Sequence, residues 1–378
     1  MEKQEQPIRI AQVIGNWFGG GIESVIMNYY RHIDRSKIQF DFFCSEKSTD
    51  IPYKEIEELG GTVTLIPSYS QVFKYQKVLK EKLKGYKIVH CHLGTMAVFA
   101  LKAAKTADVP VRIVHSHSTS NKQEFVRNLM KNMLRPMSKI YATDYMCCSE
   151  LAGRWLFGDK VYDEGKVYLL NNAIDLEKFT YNEQLRNRKR KELDIDQDTF
   201  VIGHIGRFVE QKNHRFLIDI FNEVHKQIPN SLLLLAGQGP LMDEIKEKVN
   251  QLNLKKNVMF LGQRSDVNEL FQAMDVFCLP SLYEGLPVVG VEAQASGLPC
   301  LFSNDMTKET KVLKTTKFLS LKQNIKEWII SIIQFANSHQ RCDTSIEITN
   351  KGFNIKSEVD SLEKYYANIL IDILGGKF

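Results

Sequence analysis

Asp275-Val-Phe-Cys-Leu-Pro280-Ser-Leu-Tyr-Glu284-Gly-Leu-Pro-Val-Val-Gly-Val-Glu292-Ala-Gln-Ala295 reads as a strand, a loop and a helix in one stretch. Asp275 to Leu279 is short, apolar after its first residue and stopped by Pro280, the pattern of a strand buried on both faces of a parallel sheet. Val288 to Ala295 has the apolar content of the helix that follows, and Pro287 suits its start, where a missing N–H costs no intrahelical bond. Glu284 then falls in the loop and Glu292 inside the helix. The backbone N–H groups of Leu286, Val288 and Val289 open that helix, where unpaired donors and the positive end of the dipole suit a phosphate or a developing oxyanion. Spacing alone fits two readings: a functional pair of carboxylates, or a surface loop glutamate followed by an ordinary helix glutamate.

Working outward, the same unit recurs. Upstream lie the strand Phe200 to Ile205 with the turn Gly206-Arg207, then Gln211-Lys212-Asn213 before a helix from His214. Leu232 to Ala236 is a strand ending in Gly237-Gln-Gly239-Pro240, and Val258 to Leu261 is one ending at Gly262. In open α/β sheets the ligand sits at the carboxyl ends of the strands, so Arg207, Lys212, Gly237, Gly262, Arg264 and Glu284 are expected to converge on one crevice. Arg207 as a planar fork and Lys212 as a point charge could clamp a diphosphate; either could equally be a surface base.

The first half begins with the strand Ile8 to Ile14, the triplet Gly19-Gly20-Gly21 and a helix from Ile22 to Ile33. Further strands are read at Thr62 to Ile66, Lys87 to Cys91, Val111 to His115, Tyr145 to Cys148 and Val167 to Leu170. Alternation of strand and helix with short turns predicts an α/β fold of doubly wound parallel sheets. Asn182 to Asp198 is charged and poor in apolar residues, and reads as the connection between two such domains, 1–180 and 195–350. The last segment, from Ser357, carries Val359, Leu362, Tyr366, Ile369 and Leu370 at helical period.

Composition sets outer bounds. The chain has 378 residues, of which 43% are hydrophobic, enough for two cores. Its seven cysteines are scattered without a Cys-x-x-Cys pair, which points to neither a zinc site nor a disulfide framework and suits a reducing, cytoplasmic setting. Met1 to Gln6 is polar, and no apolar run approaches the roughly 18 residues of a membrane span. Residues 71–141 hold 14 Lys/Arg against 3 Asp/Glu, a net of +11, in a chain whose net charge is +5. Two amphipathic segments lie there, Val72 to Lys84 and Glu124 to Lys139. They fit either peripheral helices on an anionic membrane surface or surface helices whose apolar stripe faces the core. Nucleic acid is not expected, because the aromatic residues are not interleaved with the basic ones in a stacking register.

The segment from Glu284 to Glu292 resembles the nucleotide-sugar signature of the retaining glycosyltransferases of family 4, in which Glu, seven residues and Glu carry Gly and Pro after the first acid. Glu284, Gly285, Pro287 and Glu292 match it. Gly206-Arg207 with Lys212 resembles the family's diphosphate site. Gly20-Gly21-Ile22-Glu23 looks like its Gly-Gly-x-Glu loop, and His115-Ser116-His117 ends a strand where the family has a site-lining histidine. Asn172-Ala-Ile-Asp175 is similar to the family's Asn-Gly-Ile-Asp hinge, with Ala173 in place of glycine, and the likeness fades after Ser303.

The resemblance implies a GT-B architecture, two Rossmann-like domains facing a central cleft, with the terminal helix packed back onto the first. It implies retaining hexosyl transfer from a nucleotide diphosphate donor, a UDP-sugar, to a saccharide or lipid-linked acceptor in capsule or exopolysaccharide synthesis, on the inner face of the cell membrane. Glu292 would take the ribose hydroxyls. Glu284 and His117, with His115 as the fallback, would face the transferred sugar or the acceptor; His90 and His92 read as structural. Gly20, Gly21, Arg207, Lys212, Gly237, Gly262, Arg264, Leu286, Pro287 and Val288 would complete the donor site. No dependable Asp-x-Asp motif is present, so no metal or other cofactor is expected. Two rivals share the scaffold: a sugar-nucleotide 2-epimerase, and a noncatalytic nucleotide-sugar-binding protein that would tolerate loss of His117.

Overall fold

The computed structural model describes residues 6–117, 132–322, 325–338 and 340–374. The chain divides into two compact units, after Ala173 and again after Asn354, so the helix Ile355–Leu374 belongs with the first.

In the first unit the strands are β1 (Ile8–Val13), β2 (Ile38–Ser45), β3 (Thr62–Ile66), β4 (Ile88–Cys91), β5 (Val111–Ser116), β6 (Asp144–Cys147) and β7 (Val167–Leu169). All pair in parallel, in the order β3-β2-β1-β4-β5-β6-β7. The second unit has β8 (Phe200–Ile205), β9 (Ser231–Ala236), β10 (Val258–Phe260), β11 (Val276–Leu279), β12 (Cys300–Ser303) and β13 (Lys317–Leu319). Their order is β10-β9-β8-β11-β12-β13, the same winding again. In each sheet the order reverses beside the first strand, between β1 and β4 and between β8 and β11. The carboxyl ends of those two pairs are the places where such sheets hold ligands.

Sequence explains most of this. β4 and β11 are buried at every position and are continuous apolar runs but for His90, as strands covered by helices on both faces must be. β2 was not among the expected strands, although all eight of its residues are buried. Asp41 interrupts its apolar run, and the fold accommodates the carboxylate by surrounding it with donors from Arg9, Thr62 and Tyr86. β12 and β13 were likewise not foreseen.

Asn182 to Asp198 is not an open connection. Glu183–Glu192 is a helix within the second unit, capped by Asn182 Oδ1 on the N–H of Leu185, and its Lys189 and Arg190 are buried. Arg190 reaches Asp275 and the carbonyl of Ala273, while Lys189 pairs with Glu192, Asp266 and Glu269. An Asp-x-Asp pattern does occur in the turn after it, Asp194-Ile-Asp196-Gln-Asp198, where Asp194 has a φ of 56°.

Ile355–Leu374 buries Val359, Leu362, Tyr366 and Leu370 and packs on the helix Gly21–His32. Tyr366 also meets Phe40 edge-on, with ring centroids 6.3 Å apart. Ala173, where the family has glycine, is not among the residues with positive φ; its backbone needs no glycine.

Candidate active site

The second unit assembles most of the expected donor-binding residues at the ends of β8, β9, β10 and β11. After β8 the chain turns at Gly206, whose N–H donates to Ala236 O at 2.9 Å. A Cβ at Gly206 would lie 3.2 Å from Lys212 Cε, so glycine lets the lysine stem cross the turn. Gly237 donates to Gly262 O at 2.7 Å and has a φ of 136°; a Cβ there would sit 2.1 Å from Gly206 O. Three strand-end turns thus touch through backbone alone.

Lys212 closes the short helical turn Glu210–Lys212, and its Nζ lies 2.6 Å from Glu284 Oε1. Their side chains are 15% and 10% exposed. Gln211 donates its amide N–H to Glu284 Oε2 at 3.2 Å and to Tyr283 O at 3.0 Å, and its carbonyl accepts from Leu282 N–H. The acidic loop is therefore stapled to the basic turn by two consecutive residues. Gln211 was not foreseen as a site residue; its only sequence signal is adjacency to Lys212.

The helix Val288–Ala295 starts behind Pro287 with no side-chain cap. Among the described residues nothing accepts from the N–H groups of Val288 and Val289, leaving the anion-binding end open. Leu286 and Pro287 are buried beside it. Glu292 is partly exposed and its carboxylate has no hydrogen-bond or ionic partner among the described residues. Desolvation pushes its pKa up to about 7. Arg207 is exposed and its guanidinium is also unpartnered among the described residues. Arg264 is not brought to this group: it donates to Asp266 at 2.7 and 2.6 Å and lies 3.5 Å from Glu192.

In the first unit, Gly20 and Gly21 are exposed at the start of the helix after β1. Glu23 folds back to accept the N–H of Phe18 at 3.1 Å, and a Cβ on Gly20 would meet Glu23 Oε2 at 2.9 Å. Glu23 thus braces the loop.

His90 and His92 alternate along β4 and its extension, and His115 and His117 along β5, so four imidazoles share one face. Their rings stack, with centroids 4.2 Å apart for His90 and His92 and 3.9 Å for His115 and His117. His92 Nδ1 lies 2.8 Å from His117 Nε2, and His92 Nε2 lies 2.8 Å from Gln12 Oε1. His90 Nε2 lies 3.0 Å from His115 Nδ1, and His90 Nδ1 lies 2.7 Å from Tyr366 Oη. His115, the fallback, is buried, while His117 is partly exposed at the strand end. Desolvation lowers all four pKa values, His90 and His117 to about 3, so the cluster is neutral near pH 7. Ligand atoms of His90, His92 and His115 lie within 4.8 Å of one another, the one grouping among the described residues spaced for a metal ion. Most of those nitrogens are already hydrogen-bonded, and no carboxylate lines the cavity they share.

Two family models match the chain, Glycosyltransferase Family 4 over residues 19–178 and Glycosyl transferases group 1 over residues 186–351. EpsF of Bacillus subtilis (strain 168) is 38% identical over 369 residues, covering 95% of this chain and 96% of that protein. The chain belongs to the family 4 glycosyltransferases. UDP-Gal:alpha-D-GlcNAc-diphosphoundecaprenol alpha-1,3-galactosyltransferase of Escherichia coli is 26% identical, over 98% of this chain and 100% of its own. Among solved structures, Anabaena HepE in complex with UDP and glucose aligns with a TM-score of 0.72 at 18% identity, over 95% of each chain. That likeness establishes the GT-B fold of this glycosyltransferase.

Proposed function

We propose that this glycosyltransferase moves a hexose from a UDP-sugar to a saccharide or lipid-linked acceptor, with retention of anomeric configuration, in capsule or exopolysaccharide assembly. The observation that carries the reading is the Lys212–Glu284 pair lying beside an uncapped helix start and an unpartnered Glu292. Arg207, Lys212 and the N–H groups of Val288 and Val289 receive the diphosphate, whose charge grows as the glycosidic bond breaks. Glu292, lacking a partner, accepts two hydrogen bonds from the vicinal ribose hydroxyls. Glu284 releases Lys212 to the phosphate and turns to the transferred sugar. Fixed cationic groups do the work a divalent ion would do elsewhere, so no metal is assigned. The first unit supplies His117 and the acceptor-binding surface.

Two similar proteins favour UDP: the Escherichia coli relative acts from UDP-Gal, and HepE was solved with UDP. The Escherichia coli relative's acceptor is a diphosphoundecaprenol-linked sugar, which supports a lipid-linked acceptor here. Neither the epimerase nor the noncatalytic reading gains support from these relatives.

The apolar stripe of Val72–Leu83 mostly faces the core through Tyr75, Leu79 and Leu83, as in an ordinary surface helix, but Phe73 is 91% exposed among lysines. The apolar face read over 124–131 lies outside the described residues; beyond it Met133, Met137 and Ile140 are exposed near Arg135 and Lys139. Exposed apolar side chains among basic residues at these two places would suit an anionic inner membrane face. No helix among the described residues is long and apolar enough to cross a membrane.

The decisive experiment screens nucleotide sugars by thermal shift and then by donor hydrolysis in wild type, Glu292→Ala and Lys212→Ala. A donor at 100 times its dissociation constant adds about 2.7 kcal/mol of stability. A shift with one UDP-sugar that both variants lose supports the site; a shift with a nucleotide sugar that both variants keep refutes it.

A further inference from the structure

Six side chains of the first unit form one unbroken series of hydrogen bonds: His117, His92, Gln12, Tyr366, His90 and His115. A neutral imidazole and an amide each donate at one end and accept at the other, so the direction at Gln12 sets the direction through His92 to His117. Gln12 fixes it. Its Oε1 only accepts, so His92 carries its proton on Nε2; His92 Nδ1 is then a bare lone pair that accepts from Nε2–H of His117. The Gln12 Nε2 only donates, 3.5 Å from Tyr366 Oη, which leaves the phenol proton free to go to His90 Nδ1, with His90 Nε2–H then going to His115 Nδ1. The series ends at His115 Nε2, a buried nitrogen without a partner among the described residues.

We propose that this series is a one-way relay that holds His117 with its proton on Nε2 and a lone pair on Nδ1, which makes Gln12, His92 and Tyr366 positioning residues for the transfer reaction. The outer nitrogen of His117 is thereby an acceptor for a hydroxyl of sugar or acceptor and not a donor to it. Mis-set tautomers are costly in catalysis, because a donor then faces a donor. This role rests on the reading that His117 lines the reaction site. A metal ion is a poorer occupant of the cluster: the shared cavity is about 20 Å³, room for about one water, and a buried cation there would have no acidic ligand.

The test is heteronuclear NMR of the full-length protein with ¹⁵N-labelled imidazoles, donor-free, which distinguishes a protonated ring nitrogen from a bare one. Wild type is expected to show His117 protonated at Nε2. Gln12→Glu, whose carboxylate still accepts from His92, should keep that tautomer. Gln12→Leu should lose it, with kcat falling about 10- to 100-fold and donor KM nearly unchanged. Tyr366→Phe preserves the ring packing and removes the acceptor that orients the Gln12 amide, so it should give a tautomer mixture even where Gln12→Leu fails to fold. Protonation of wild-type His117 at Nδ1 would mean that the Gln12 amide and every link run the other way, and overturns the proposal. So does an unchanged tautomer in both Gln12→Leu and Tyr366→Phe. A changed tautomer with unchanged turnover overturns instead the placing of His117 at the reaction.

Discussion

Lys212 and Glu284 are held 2.6 Å apart at 15% and 10% exposure, so each neutralises the other where little water reaches. Replacing one leaves the other charge poorly compensated. Lys212→Ala is expected to cost about 1–3 kcal/mol of stability, short of the 3–5 kcal/mol of a fully dry pair, and to lower kcat about 10²–10³-fold. Combining it with Glu284→Gln should destabilise by less than the sum of the two singles, as read by urea unfolding. Strict additivity would show that the pair is not coupled.

Donor affinity should rise with pH through about 7. Glu292 must be ionised to accept ribose hydroxyls, and burial lifts its pKa to about 7. Its contribution to the stability of the empty protein runs the other way. The folded pKa exceeds the unfolded one, so the native state binds more protons between about 4.5 and 7 and stability falls as pH rises across that window. Calorimetric titration with UDP from pH 5.5 to 8.5 checks the first statement, and Glu292→Gln should flatten that profile.

The four stacked imidazoles give the opposite slope. Their folded pKa values lie below 6.5, so their stabilising contribution is complete above the unfolded value and is lost as pH falls below it, toward about 3 for His90 and His117. Urea midpoints measured from pH 7 to 4.5 should drop steeply, and His90→Asn should make the drop shallower. A midpoint independent of pH in this range would contradict neutral burial of the cluster.

Gly237→Ala should disable the donor domain. Its φ of 136° excludes a side chain at a cost of about 1–3 kcal/mol, and a Cβ 2.1 Å from Gly206 O forces two strand-end turns apart. Loss of UDP-induced thermal stabilisation is the readout.

Phe73→Ser should weaken sedimentation with anionic vesicles at low salt while leaving the melting temperature unchanged, since the ring is 91% exposed. Equal sedimentation of wild type and variant would exclude Phe73 from the docking surface.

Four strands of the second sheet, β8 to β11, were readable because they are short apolar runs that end in glycine, proline or charge, with Lys212 and Glu284 in the loops that follow; β12 and β13 were not read. The first sheet was read with a gap at β2, where the paired carboxylate of Asp41 breaks the apolar signal although the strand is fully buried. Lys189 and Arg190 misled in the same way: their charges suggested a linker, but partners brought from Asp266, Glu269 and Asp275 let a helix bury them. Arg264 sits at a strand end as expected, yet its neighbour Asp266 takes the guanidinium. His90 and His92 read as structural, and the hydrogen bond of His92 to His117 was invisible because it depends on two strands being neighbours. Tyr366 was read on the apolar face of a terminal helix that packs back onto the first domain, but its hydrogen bond to His90 could not be read, since only the fold brings the two together.

That placement has a consequence for biosynthesis. Gln12 and Tyr366 stand 354 positions apart in the chain, and both line one small cavity. The first sheet can form while translation continues, but it lacks the helix that buries its aromatic and imidazole cluster until residues 355–374 emerge. A nascent or truncated polypeptide ending before Ile355 would expose Phe40, His90 and the helix Gly21–His32 to chaperones and proteases. The amino-terminal unit therefore stays incompletely covered until the helix Ile355–Leu374 has been made.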